Sequence, residues 1–336
     1  MITRRQVTLG AASAATLVSM PHVARAQAFD LKASHWNPPN HVVHKTLLAW
    51  SEELEKASSG RLKLTVYPAG QLGGGVNRQF DSCRNGIVDI AVSLHAATPG
   101  RYSLTELASM PFAAPSVGNV SAITSKRLTE LAPEFLAKEH EGLKILWVAS
   151  TVPLMFHSKR PLRKVEDWKG MKIRYAGQQF KDLIDALGAV PLPVPPPETQ
   201  DALAKGIVDA ACFPYEGAAS FGLDVVVKYT VEPGVANNSF AAVINPAKFA
   251  ALPADLQALI VKTTGPQAAE KFGKAFDAAE RDAKEKFIAK GVEIIKLPPD
   301  EVAKMKKLFA PQIEAAIATV EKQGKPGRKF YETYTK

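Results

Sequence analysis

The chain has 336 residues, 46% of them hydrophobic and 22% charged, with 42 Lys and Arg against 33 Asp and Glu and a formal charge of +9. This balance suits a folded globular protein long enough for two domains and excludes a disordered or fibrous chain. Lys and Arg are scattered among acids rather than gathered into a tract, which argues against nucleic acid as a partner, and Cys83 and Cys212 have neither metal-site spacing nor a paired framework.

Arg4-Arg5 precede an apolar run of small residues from Val7 to Met20, and Ala24-Arg25-Ala26 offers a small-x-small cleavage site before Gln27. Residues 1–26 are therefore expected to be a secretory signal, too short for a stable membrane span. Thr3-Arg4-Arg5-Gln6-Val7 also resembles the twin-arginine export signal, although two arginines equally suit an ordinary signal. No second apolar run approaches the ~20 residues that cross a bilayer, so the exported chain is not expected to be membrane-embedded.

Beyond the signal, Phe29 to Trp36 reads as a strand and His41 to Lys56 as a helix with Val42, Leu47, Leu48 and Leu54 inward. Gly60 ends that helix. Arg61 to Tyr67 alternates as a second strand, the loop Pro68 to Gly75 follows, and a helix through Phe80 and Cys83 leads to a third strand, Ile87 to Leu94. Such β-α-β alternation is the mark of a parallel sheet with helices on its faces. Gly73 to Gly75 lacks the lysine ending and the glycine spacing of a phosphate loop. His35, His41 and His44 have no nearby carboxylate or cysteine partner, so no metal is expected. No nucleophile, base and orienter can be assembled from the spacing, and no cofactor is expected.

The middle of the chain predicts a helix over Ile123 to Lys138, a strand Lys144 to Ala149, and the segment Val152 to His157. Met171, Ile173 and Tyr175 then alternate with Lys172 and Arg174, placing Arg174 near the end of a half-buried strand. Such an arginine is either a surface cation or an anion anchor, since a guanidinium can grip a carboxylate with two parallel hydrogen bonds. A short helix over Phe180 to Leu187 precedes Pro191 to Pro197, a stiff extended run that cannot donate to a sheet. A helix from Pro197 to Lys205 and a strand Ile207 to Phe213 follow. Gln267 to Lys290 carries Phe272, Phe276, Ala279, Ala283 and Phe287 at helical spacing, a helix of about 36 Å that could brace two domains. A strand Val292 to Leu297, a helix Glu301 to Val320 and a polar tail complete the chain.

Several of these pieces fall in one order. Ser59-Gly60-Arg61-Leu62-Lys63, Tyr67-Pro68, Gly70-Gln71-Leu72-Gly73, Arg84 to Asp89, Asp167 to Arg174, Leu187-Gly188-Ala189, Ala202-Leu203, Gly206 to Asp209 and Leu252-Pro253 together resemble the DctP-type solute-binding proteins of tripartite ATP-independent periplasmic (TRAP) transporters. The match runs across essentially the whole mature chain. The resemblance implies an α/β, two-domain periplasmic binding protein with an interdomain cleft and a long helix spanning both domains. The expected division is 27–150 for the first part of domain I, 151–240 for the main part of domain II, and 241–336 for a return segment shared between them. It implies a monomer that captures a small organic acid in the periplasm and delivers it to membrane permease subunits, without catalysis.

The family's carboxylate-pairing arginine falls on Arg174. Three positions that are polar in sialate or C4-dicarboxylate binders are apolar here: Phe213, Leu154 and Leu94. With Trp36, Phe156 and Tyr215, this implies one charged anchor among aromatic walls, suited to an aromatic or hydrophobic monocarboxylate of hydroxycinnamate or aryl 2-oxo acid type. His35, Ser93, His95, Asn237 and Asn238 are the candidate hydrogen-bonding contacts. A dicarboxylate is disfavoured because its second charge would be buried without a cation. Alternatives are a 2-oxo acid or C4-dicarboxylate binder using histidines as second anchor, a ligand-free interaction protein on the same fold, and, more remotely, a periplasmic enzyme.

Overall fold

The computed structural model describes residues 27–115 and 118–336. The expected signal over 1–26 lies outside the described residues. The strands are β1 (Phe29–His35), β2 (Leu62–Tyr67), β3 (Ile90–Leu94), β4 (Lys144–Ser150), β5 (Leu154–Ser158), β6 (Lys172–Arg174), β7 (Val190–Leu192), β8 (Ala210–Phe213), β9 (Tyr229–Ala236), β10 (Ser239–Ile244) and β11 (Glu293–Lys296). They form two sheets, ordered β2-β1-β3-β10-β4 and β11-β9-β5-β8-β6-β7. Each sheet is the centre of one lobe.

In the first lobe β1 runs parallel to β2 and β3, while β10 lies antiparallel between β3 and β4. Every residue of β3 and of β10 is buried. Both strands read as unbroken apolar or small-residue runs because helices cover the two faces of the sheet. The chain passes to the second lobe between Ser150 and Leu154 and returns between Ala236 and Ser239. The two crossings lie side by side: Thr151 N donates to Asn238 O at 2.8 Å, and Asn238 N donates to Thr151 Oγ1 at 3.0 Å.

The helix Pro266–Ala289 spans both lobes, as its spacing predicts. Ala269, Phe272 and Phe276 enter the first lobe's core, whereas Ala283 and Phe287 enter the second's. Two of its carboxylates fasten one helix from each lobe. Asp277 accepts from Ser121 N and Ala122 N, at 2.9 and 3.0 Å, in the first turn of helix Val120–Leu131. One turn on, Glu280 accepts from Tyr215 N and Glu216 N, both at 2.8 Å, at the start of helix Tyr215–Ser220. Both satisfy amides that a helix start leaves unpaired.

Gly273 lets the long helix approach Val120–Leu131 closely: a Cβ there would lie 2.4 Å from Ala122 Cα and 2.5 Å from Ser121 O. Both obstructions are backbone. Gly273→Ala should therefore push the helices apart, loosen the Asp277 contacts and cost about 1–3 kcal/mol. A denaturant midpoint equal to wild type would contradict this packing.

Some boundaries differ from those the sequence suggests. Only Lys172–Arg174 forms strand, preceded by a tight turn over Val165–Trp168, though Trp168, Met171 and Ile173 are fully buried. The helix expected over 123–138 is regular only to Leu131 and widens over Ala132–Leu136, where Pro133 lacks the N–H that would continue it. The expected polar tail carries a helix, Gly327–Thr335, whose Phe330 and Tyr334 are buried against the first lobe. The helix before it, Pro299–Lys322, places Met305 and Phe309 in the second lobe's core and Ile317 and Val320 in the first's.

Candidate functional site

Arg174 ends β6, a three-residue strand pinned between β7 and β8. The alternation read from the sequence sends Ile173 into the core and Lys172 to the surface. Arg174 itself is only 2% exposed. Its Nε donates to Val194 O at 3.0 Å and Nη1 to Cys212 O at 3.1 Å. The first acceptor belongs to the proline run, where missing N–H groups leave carbonyls outside any ladder. The guanidinium carbon lies 4.1 Å from the centre of the Phe213 ring, a cation–π contact that fixes its plane. Nη2 has no protein acceptor, and no carboxylate lies against the group, among the described residues. Burial lowers its pKa from 12.5 to about 9, so it remains a cation at neutral pH. A buried cation without an internal counter-ion is costly unless an anion completes it.

Two compartments meet at this residue. The outer one, a cleft of about 650 Å³, lies between the loop around Gly70 to Asn77 and the segment Ala96 to Pro99 on one lobe, and Tyr175 to Gly177 with Pro193 to Pro197 on the other. The inner one, about 30 Å³, is walled by Trp36, His41, Phe213, Phe221, Phe240 and Phe276, with Leu94 and Leu154. The three positions singled out in sequence as apolar, Leu94, Leu154 and Phe213, thus all face the inner compartment. Trp36 and Phe221, from opposite lobes, stack at 5.7 Å and 3°.

Of the ten candidate residues, Trp36, Arg174, Phe213 and Asn238 line these compartments. The other six do not line these compartments. His35 Nε2 pairs with His44 Nδ1 at 3.0 Å, and Ser93 Oγ donates to Val76 O at 2.7 Å. His95 is held between Ser239 Oγ, 2.8 Å away, and His140 Nε2, 2.9 Å away. Phe156 packs edge-on against Trp168 in the second lobe's core. Tyr215 donates to Glu232 at 3.0 Å, and Asn237 donates to Ser150 Oγ. In each case a neighbouring strand, helix or turn claims the polar group or ring. Both cysteines are buried and free. Among the described residues no group of three or more His, Cys, Asp or Glu is arranged to hold a metal ion.

His41, Phe221, Phe240 and Phe276 were not anticipated as pocket residues. His41 is already engaged: Nδ1 accepts from Val43 N at 3.2 Å, so Nε2 carries the proton and faces Glu216 Oε2, 3.2 Å away on the other lobe. Glu216 also accepts from Val42 N at 2.9 Å, placing a second-lobe carboxylate on the start of a first-lobe helix. Burial lowers the His41 pKa despite this carboxylate.

The lobes also touch at the mouth of the cleft. A Cβ on Gly177 would come within 2.8 Å of Ala96 Cβ, and Gly177 has φ 94° and ψ 148°, a conformation open essentially to glycine alone. Gly177→Ala should strain this loop by about 1–3 kcal/mol and hold the lips apart. Weaker acid binding with Arg174 untouched is the expected result, read by calorimetry; unchanged affinity would show that these lips need not meet.

Two α/β lobes joined by paired crossings, braced by one helix and meeting over a buried, uncompensated guanidinium define a hinged solute-binding protein of the periplasmic type. Residues 33–319 match bacterial extracellular solute-binding protein, family 7 (DctP), and the chain belongs to that family. A solute-binding protein of Albidiferax ferrireducens is 28% identical over 291 residues, 83% of either chain. A TRAP solute-binding protein of Rhodoferax ferrireducens, solved with copurified benzoate, superposes with TM-score 0.87 at 26% identity, covering 92% of this chain and 97% of its own. One from a marine metagenome, specific for aromatic acid ligands and solved with 3-hydroxybenzoate, also gives 0.87, at 28% identity and the same coverage. No described helix is long and apolar enough to cross a membrane.

Proposed function

We propose that this protein captures an aromatic monocarboxylate in the periplasm and delivers it, chemically unchanged, to the permease of an ion-driven TRAP transporter. The observation that carries this reading is Arg174, a buried cation with no protein counter-ion among the described residues, set among aromatic rings. A carboxylate would supply the missing charge through a two-bond fork, and Trp36, Tyr175 and the proline rings of the outer cleft would meet the apolar remainder. The similar structures that hold benzoate and 3-hydroxybenzoate support the same ligand class. A C4-dicarboxylate fits less well: among the described lining residues of the outer cleft Arg174 alone is charged, and His41 in the inner one faces Glu216.

The ligand would draw the lobes together by touching both, biasing a hinge equilibrium without any bond being made or broken. We read the working form as a monomer, exported by the Sec or twin-arginine route. The test is a thermal-shift screen of the mature protein against aromatic acids, 2-oxo acids and C4-dicarboxylates. An acid at a hundred times its Kd should add ~2.7 kcal/mol, a shift of several degrees. Recovery of the unaltered acid after incubation separates capture from catalysis. Stabilisation by succinate or malate with none from any aryl acid would overturn the reading.

A further inference from the structure

Arg174 stands on the wall between two compartments of very unequal size, and the difference bears on the length of the acid. A cavity of roughly 150 Å³ takes one benzene, and a water needs about 10–15 Å³. The inner compartment, at about 30 Å³, therefore has room for a water or two. Its walls are rings already packed on one another: Trp36 on Phe221, Phe213 on Phe221 at 6.0 Å, and Phe240 on Phe276 at 6.3 Å. An aryl group entering there would have to separate them. The outer compartment is about 650 Å³, several times what a single ring fills.

The outer room has a sequence origin. Gly70, Gly74, Gly75, Ala96 and Ala97 put almost no side chain into it, and the facing prolines 193 and 195–197 offer rings and carbonyls but no N–H. Arg174 is the sole charged residue among its described lining residues. One carboxylate is provided for, and the remaining volume is mostly apolar.

We propose that the carboxylate sits on Arg174 with the aryl group in the outer compartment, so that the site selects acids whose ring stands two or three atoms away from the carboxylate over acids of benzoate size. This rests on the aromatic-monocarboxylate reading and narrows it. A benzoate-sized body leaves most of the outer volume unfilled, whereas a phenylpropanoid-sized acid buries two further carbons. Each buried carbon contributes about fourfold in affinity, so the preference should exceed about tenfold.

The experiment is titration calorimetry on the full mature protein with benzoate, phenylacetate, 3-phenylpropanoate and cinnamate. Affinity should rise along the series, by about tenfold or more from benzoate to cinnamate. A variant ties the gain to the compartment. Gly75 has no positive φ, and a Cβ there would meet only Asn77 Oδ1, at 3.4 Å, so Gly75→Leu is compatible with the fold and fills outer volume. It should weaken cinnamate about tenfold more than benzoate; Ala97→Leu, on the adjoining segment, repeats the measurement should the first variant fold poorly. Benzoate binding as tightly as the longer acids, or equal losses for both in the variants, would overturn the length preference while leaving the aromatic reading intact. Binding of none of the four acids would overturn the aromatic reading itself.

Discussion

Replacing Arg174 by alanine should cost the protein its aromatic acid, by roughly 30-fold to several thousandfold in Kd, while the ligand-free fold loses little or no stability. The first part follows from removing one member of a desolvated charge pair, a change worth about 2–5 kcal/mol in binding. The second is less usual. Arg174 is buried without an internal counter-ion, so the unliganded protein carries a desolvation penalty that alanine removes. Against this stand the lost bonds to Val194 O and Cys212 O and the lost contact with Phe213. Each neutral-acceptor bond is worth about 1.5–3 kcal/mol at most, comparable to the burial cost it offsets. Arg174→Lys should bind poorly as well, because an ammonium cannot present the fork. Melting curves with and without ligand test both halves: the wild type should shift and the alanine variant should not, at a similar unliganded Tm. Collapse of the unliganded variant would show that Arg174 is chiefly a structural tie between Val194 and β8.

Stability should peak near pH 6–7 and fall steeply on acidification. His35 and His157 are buried neutral, their pKa values lowered by burial to about 3 and about 4; His95 is driven well below its usual value, and His41 and His140 are lowered. For a histidine with a depressed folded pKa, the unfolded chain binds more protons below pH 6.5. The stabilisation is complete above 6.5 and is lost as pH falls toward the folded value, at up to about 1.4 kcal/mol per pH unit for each ring. Glu106 and Glu280 oppose this. Burial raises both to about 8, so their contribution is complete below about 4.5 and is lost as pH rises from there to 8. Five histidines outweigh two glutamates below 6.5, and above it only the glutamate penalty grows. Denaturant midpoints from pH 4.5 to 8.5 should trace an asymmetric dome; a flat profile from 4.5 to 6.5 would mean that these imidazoles do not stay neutral.

His95 shows why such rings are sensitive. His140 Nδ1 donates to Leu136 O, so its Nε2 accepts from His95 Nε2, and His95 Nδ1 in turn accepts from Ser239 Oγ. A proton added at His140 Nε2 would set two donors against each other. The same relay occupies both ring nitrogens of His95, which the sequence places just after β3. A polar residue's partner is chosen by whatever strand or helix lies across from it, and spacing along one strand carries no record of that neighbour. His35 and Asn237, paired with His44 and Ser150, follow the same rule.

What could be read from sequence was local periodicity and ordered motif. Alternation from Met171 to Tyr175 put Arg174 at a strand end, and helical spacing delivered the long helix nearly to its termini. The apolar residues at 94, 154 and 213 were recognisable against the family pattern, and all three face the inner compartment. Phe276 was recognised as an inward residue of its helix but not as a pocket wall, because a hydrophobic pattern marks burial without distinguishing a core from a cavity. Phe240 belongs to an apolar run that marks burial and not a pocket, and Phe221 stands at the end of a short helix with no apolar periodicity. Phe221 follows the helix Tyr215–Ser220 in Arg174's own lobe, and Phe240 comes to the pocket on β10, after the return crossing.

Those crossings also bear on assembly. In the first sheet β10 lies between β3 and β4, so the middle strand is supplied almost 90 residues after its neighbour β4 ends. Until residue 239 has emerged, β3 and β4 each present an unpaired edge of an apolar layer, and the second sheet, with β5 to β9 made, still lacks β11. Neither lobe is complete from one contiguous stretch: the first waits for β10, and the second for β11 and for Ala283, Phe287, Met305 and Phe309, so apolar strand edges stay open to other chains in the interval. A chain ending before Ser239 would expose those edges permanently, and would be recovered as aggregate rather than as half of a binding protein.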